Sequence, residues 1–456
     1  MKKWLVFAAL AFPVVGMTQS IDQQDLEKIR SGFVKDNYTE AMQNALSSNP
    51  ITDIAWSREN EGTTDHYFTY RVDVKGITNQ KKSGRCWLFT SLNVFRPMAM
   101  QHFNVASFEF SENYLYFWDI FEKANLFLNN IAATADKDIS DQKVRWYLKS
   151  PVSDGGQWIN FANLANKYGM IPKEAMEETY SSENTSWMVK LVNRKLREQA
   201  LVLRDMKNDG ESDAKIENAK VEMMGVIYRM LALNLGEPPT TFSYRFKDKS
   251  GNVSEAKEYT PHSFMQEVLG DIQLSDYVML MNDPSRPYWK HYEIENYRNV
   301  EEGENWHYVN LPNDVIKQFC ITSIKSNEAL YTSSDVGKQL RRDFGVLDVD
   351  NFNYEAVYNV PFQMNKADRI KTSDSGSSHA MALIAVEVDQ NEKPVKWQFE
   401  NSWGESSGEK GYLTFTDRWF DEYMFRIVVN KKYISEKVLD IYQEKAEMLP
   451  PWDPMF

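Results

Sequence analysis

Apolar residues recur at helical spacing through the first half of this chain and in short branched or aromatic runs through the second. After Ser83 and Gly84 break the chain, Cys86, Trp87, Leu88 and Phe89 begin an apolar run that continues through Leu92 and Phe95, which predicts a helix with a cysteine at its start. Ser111 is placed to cap a second helix whose Tyr114, Phe117, Trp118 and Phe121 form a core stripe. Asp154-Gly-Gly-Gln-Trp158 leads into a third helix over 158–168, its two glycines marking a tight turn or a close approach of another backbone. Met188, Val192, Leu196 and Leu203, then Ile216, Met223, Ile227, Leu231 and Leu235, flank a polar stretch at 207–213. That pattern predicts a helical hairpin, read as an insertion and closed by Gly236-Glu-Pro-Pro239.

Strands are expected at 277–281, 329–333, 379–388, 395–399, 411–415 and 425–429, and 245–252 reads as a strand entering a turn. Residues 19 to about 60 are polar, with helical stretches at 26–34 and 38–49, and read as a lead-in that wraps the body. The chain carries no internal repeat and no low-complexity tract.

At 456 residues, 42% hydrophobic and 13% aromatic, the chain reads as globular and large enough for two or three structural units. Lys2 and Lys3 precede an apolar stretch from Trp4 to Met17, the layout of a signal peptide. Its fourteen residues, interrupted by Pro13, are too few to span a bilayer, so residues 1–18 are expected to be removed, with Gln19 as the mature start. The expected location is periplasmic or extracellular, with no membrane span left in the mature chain. The formal net charge of −13, or −15 without Lys2 and Lys3, disfavours nucleic acid as a general partner. Six scattered histidines give no metal-ligand spacing, and no cofactor is expected. The two cysteines, Cys86 and Cys320, could pair; Cys320 more simply packs the inner face of a helix.

Taken alone, Cys86 is open to two readings. It is a buried structural thiol, or a nucleophile whose thiolate is favoured by the unpaired N–H groups of a helix start. A thiol nucleophile needs an imidazole to take its proton and a third group to orient that imidazole. His379 opens a predicted strand behind the loop 374–378, and Glu400-Asn-Ser-Trp-Gly404 closes the next, offering Asn401 as orienter and Trp403 as a cover. Gln80 stands where its amide could join the backbone N–H of Cys86 in an oxyanion hole, and Gly155 and Gly156 where a peptide could lie against the backbone.

Cys, His and Asn in this order, with Gln80 and the glycine pair, resemble the papain superfamily of cysteine peptidases. The stretches 79–89, 110–119, 154–158, 235–239, 334–337, 400–404, 411–413 and 449–455 narrow the resemblance to its bleomycin hydrolase or aminopeptidase C branch, along nearly the whole mature chain. Cys86 and His379 lie about 290 residues apart, against about 130 to 150 in compact papains, an excess that the insertion and added loops account for. The resemblance implies an α+β, papain-like fold of two subdomains, a helical half and an antiparallel, barrel-like half, with a helical insertion and a C-terminal arm. The expected organisation is a signal peptide (1–18), a wrapping segment (19–60), the helical half (61–186), the insertion (187–236), the sheet-rich half (237–445) and the arm (446–456).

Carried over to this sequence, it implies Cys86 as nucleophile, His379 as base and then acid, Asn401 as orienter and Gln80 as oxyanion donor. Gly155, Gly156, Trp403 and Phe456 are expected beside the peptide substrate. The implied enzyme is an aminopeptidase working through a thioester, assembled as a homohexamer, with its arm's carboxylate holding the substrate's amino end. Related chains usually continue a few residues past the Met that precedes Phe456. The shorter end makes an endopeptidase or a di- or tripeptidyl peptidase the alternative. A transglutaminase, which usually has Asp as third member, and a non-catalytic binding protein fit less well, because Cys86, His379 and Asn401 are all present.

Overall fold

The computed structural model describes residues 20–455, so the signal-peptide reading of 1–18 and the role read for Phe456 lie outside the described residues. The chain divides into two compact units. One holds the described residues up to Trp56 together with Phe352–Pro361; the other holds Ser57–Asn351 and the chain from Phe362 onward. In the first unit the helices Gln23–Ser31 and Asn37–Ser48 start where Asp22 and Asp36 accept hydrogen bonds from Asp25 N and Thr39 N, each at 2.8 Å. Trp56 packs edge-on against Phe352, with ring centroids 5.3 Å apart.

The second unit carries the chemistry. Helix Cys86–His102 is buried on nearly all sides and packs against the strand His379–Val388, while its Phe95 meets the rings of Trp158, Phe161 and Tyr277. Helix Glu112–Ala133 starts where Ser111 Oγ accepts from Tyr114 N at 3.2 Å. Helix Trp158–Tyr168 stops at Gly169, whose φ of +75° suits glycine and whose Cβ would fall 2.4 Å from the Pro261 carbonyl carbon. Helices Ser186–Asn208 and Asp213–Leu235 form a hairpin packed on Glu112–Ala133. Met224, not the expected Met223, turns inward beside Ile227 and Leu231.

Among the described residues the sheet has eleven strands. It runs through Glu447–Leu449, Lys290–Ile294, His307–Asn310, Tyr277–Met281, Met424–Asn430, Leu330–Ser334, His379–Val388, Pro394–Glu400, Tyr412–Thr416 and Val346–Leu347, while Tyr70–Arg71 pairs onto His379–Val388 off that path. Most pairings are antiparallel; Tyr277–Met281 with His307–Asn310, Tyr412–Thr416 with Val346–Leu347 and Glu447–Leu449 with Lys290–Ile294 are parallel. The strand expected at 245–252 is replaced by a separate short ladder, Phe242–Tyr244 with Lys257–Tyr259. Its alternation is too brief to distinguish from a turn. His379 pairs with Ser334, and Glu400 with Ala382, so His379 and Asn401 arrive at the same end of the sheet. Cys320 is buried in helix Asn313–Lys325, and both cysteines are free, which removes the disulfide option. No helix of the described residues is long and apolar enough to cross a membrane.

Candidate active site

The start of helix Cys86–His102 is held from three sides. Gly84 N donates to Asp154 Oδ2 at 2.6 Å, and Trp87 Nε1 donates to the Asp154 carbonyl at 2.9 Å. Arg85, fully buried, makes a two-pronged pair with Glu178 at 2.9 and 2.7 Å and donates from Nε to Ser83 Oγ at 3.1 Å. A Cβ on Gly84 would sit 2.5 Å from Asp154 Oδ1, so the turn before the cysteine admits only glycine without displacement. Asp154 and Arg85 stand inside stretches already singled out, but their partners come from residues 67 and 93 positions away and leave no local signal.

Residues 78–80 run antiparallel to 402–404. Gln80 N donates to Ser402 O at 2.8 Å, and Gly404 N donates to Thr78 O at 3.1 Å. This short ladder ties the segment before Cys86 to the segment after Asn401. Gln80 Nε2 donates to Ser83 O at 2.6 Å while its Oε1 accepts from Ser402 Oγ at 2.6 Å, so the amide is clamped at both ends and one N–H is left for the cleft.

Asn401 Oδ1 accepts from Ser402 N at 2.8 Å, which fixes which end of its amide is oxygen. The same oxygen lies 2.8 Å from His379 Nε2. An amide oxygen only accepts, so Nε2 carries the ring proton and Nδ1 is left as the basic nitrogen. Trp403 packs on the His379 ring, with centroids 4.8 Å apart and planes tilted 32°. Trp403, read both as a cover and as a residue beside the substrate, thus lies against the His379 ring.

A second link crosses beneath the site. Arg96, in the helix that begins with Cys86, donates to Glu400 at 2.5 Å, to the Phe108 carbonyl at 3.0 Å and to the Lys75 carbonyl at 2.6 Å. Glu400 immediately precedes Asn401, so this buried ion pair couples the helix that begins with Cys86 to the strand that leads into Asn401.

Cys86, Gln80, His379, Gly155, Gly156, Tyr297 and Tyr331 line one cleft of about 520 Å³. The two glycines differ in what they do. A Cβ on Gly155 would meet only Ser153 Oγ at 4.0 Å, leaving its backbone open to a peptide, whereas one on Gly156 would sit 2.7 Å from the Trp87 ring. Gly156 is therefore a packing requirement of Trp87, while its backbone still lines the cleft.

Electrostatics also depart from expectation. Cys86 is half-buried yet closely surrounded, and desolvation pushes its thiol up, with Asp154 adding to the rise; the N–H groups of Ala380 and Trp87 act in the opposite direction. Burial thus opposes what the N–H groups at the helix start favour. Burial lowers His379 to about 4, against the Asn401 bond, which favours the imidazolium, and with the Arg342 charge adding to the drop. Burial therefore opposes charge on either group taken singly. Moving the proton from one to the other creates both charges together, each in the other's field.

The Peptidase C1-like family matches residues 20–456. Aminopeptidase C of Streptococcus thermophilus is 36% identical over 438 residues, covering 96% of this chain and 98% of that protein. Bleomycin hydrolase of Homo sapiens is 38% identical over 424 residues, covering 91% and 93%. The crystal structure of PepW from Lactobacillus rhamnosis superposes with a TM-score of 0.93 at 38% identity, covering 96% of this chain and 99% of that one.

Proposed function

Because this chain belongs to the Peptidase C1-like family and is a cysteine aminopeptidase acting on peptides, we propose that it is exported and removes single residues from peptide amino ends, with Cys86, His379, Asn401 and Gln80 as its working groups. The observation that carries this reading is the fixed proton of His379: Asn401 holds Nε2–H, and Nδ1 stays basic in the cleft that Cys86 and Gln80 also line. His379 Nδ1 takes the thiol proton as the sulfur attacks the scissile carbonyl. The oxyanion is met by Gln80 Nε2 and the Cys86 backbone N–H. His379 then returns the proton to the leaving amine, giving a thioester, and next activates the water that hydrolyses it. Replacing Cys86 by Ala is expected to abolish hydrolysis of aminoacyl amides; a variant retaining the wild-type rate refutes the assignment.

Single-residue release is supported by the arm. Arg286 grips Asp453 with two bonds of 2.9 Å, and buried Arg426 donates to the Met455 carbonyl. Burial lowers Arg426 to about 10, and its charge is felt by Tyr297 and Tyr331, both in the cleft wall. An arm anchored there would close the side of the cleft that takes the substrate's amino end. A variant lacking 450–456 should gain cleavage of N-acetylated peptides that the full chain ignores; an unchanged preference contradicts the role. Export is supported by Lys2 and Lys3 ahead of the apolar stretch, and N-terminal sequencing of the mature protein tests it. Assembly as a hexamer is supported by the apolar residues Trp187, Leu191, Leu201 and Leu233 exposed on the helical hairpin. Light scattering would test it, and a monomer at working concentration would refute it.

A further inference from the structure

Behind Trp403 stands a cation to which neither the resemblance nor the comparisons give a role. The Arg342 guanidinium lies over the Trp403 ring, 4.6 Å from its centroid, and Trp403 in turn packs on His379 at 4.8 Å. Its neighbours are neutralised: Arg341 pairs with Asp343 at 3.1 Å, and Lys338 with Asp374 at 3.2 Å. Arg342 is exposed and has no carboxylate partner among the described residues. It is also not held loosely. Gly408 N donates to the Arg342 carbonyl at 3.0 Å, and Gly345, at φ +72°, packs so close to the 408–409 backbone that a Cβ would fall 2.8 Å from Glu409 N. An aromatic face and a clamped loop thus keep one unpaired guanidinium beside the base.

We propose that Arg342 is a specificity-determining residue that receives a carboxylate on the leaving residue of the substrate. The inference rests on the peptidase reading above. His379 gives its proton to the leaving amine, so the leaving residue departs from the His379 side of the cleft, the side on which Trp403 and Arg342 follow in turn. A carboxylate within a few bonds of that amine then meets Arg342. Two sources supply one: the terminal carboxylate of a dipeptide, and the side chain of an Asp or Glu leaving residue. The site favours dipeptides and acidic leaving residues over their neutral counterparts.

The test compares kcat/KM for a dipeptide with that for its C-terminal amide, and for an Xaa-Asp amide with an Xaa-Asn amide, at low salt. A charge pair at an exposed site corresponds to roughly two- to fivefold preference for the anionic member, falling as salt rises. Arg342→Ala should erase the preference, Arg342→Lys should restore part of it, and Arg342→Glu should reverse it. Preference in the first comparison alone assigns the site to terminal carboxylates, and in the second alone to acidic side chains. Cys86 and Asn401 stay in place around His379, so removing the Arg342 cation should also move the acid limb of the pH profile upward for a neutral substrate. Titration with a thiol-directed epoxide counts the competent sites in each variant. Ratios and acid limb unchanged in both Arg342→Ala and Arg342→Glu overturn the inference alone. A wild-type enzyme that cleaves none of the substrates overturns the peptidase reading and this inference with it.

Discussion

Asn401→Ala isolates the step on which the catalytic account turns. The substitution removes the oxygen that accepts from His379 Nε2 and from Ser402 N, each at 2.8 Å. The imidazole is then free to carry its proton on Nδ1, where it cannot accept from a thiol, and free to turn under Trp403. A buried hydrogen bond of this kind is worth about 1–3 kcal/mol, so kcat/KM should fall roughly 5- to 150-fold. The pH profile gives a second, independent reading. Asn401 favours the imidazolium against a burial effect that already holds His379 at about 4, so its loss lowers that value and shifts the acid limb to lower pH. Asn401→Asp does the opposite, because a carboxylate favours the imidazolium and raises the limb. The assay is kcat/KM on an aminoacyl amide across the acid range, with active sites counted by epoxide titration. Unchanged rate and limb in both variants would refute the orienting role.

Gly156→Ala should cost about 1–3 kcal/mol of stability, since its Cβ meets the Trp87 ring at 2.7 Å; chemical denaturation measures it, and a neutral result means Trp87 can yield. Arg96→Met leaves Glu400 buried without its ion partner and should cost about 3–5 kcal/mol, read by the same method. Glu112, raised to about 8 chiefly by burial, binds more protons folded than unfolded between its ordinary value and 8. Its contribution to stability is therefore present in acid and lost as pH rises through about 8. Glu112→Gln should flatten that decline in a urea series across pH, and an unaltered slope excludes Glu112 as its source.

The helices were legible where a cap and an apolar stripe coincided, as at Ser111 and over 158–168, whose predicted bounds match the structure. The strands 277–281 and 379–388 were equally clear, because both are buried along most of their length and read as unbroken apolar runs. Strands Lys290–Ile294 and His307–Asn310 escaped because they are short and interrupted by polar residues. Of the site, residue types were readable and their couplings were not. Nothing near Glu400 announces Arg96, 304 positions away, or tells that Gly156 serves Trp87 while Gly155 stays open. The desolvation of Cys86 was hidden for the same reason: a helix start is visible in sequence, whereas burial comes from segments that only the fold brings together.

The most direct measurement is the site of acylation. A slowly hydrolysed aminoacyl ester, quenched in acid during turnover and digested, should leave the aminoacyl mass on the peptide that contains Cys86 and none on the peptide that contains Cys320, which is buried in its helix. Turnover with no acyl mass on Cys86, or with the mass on any other residue, would contradict a thioester mechanism at this cysteine.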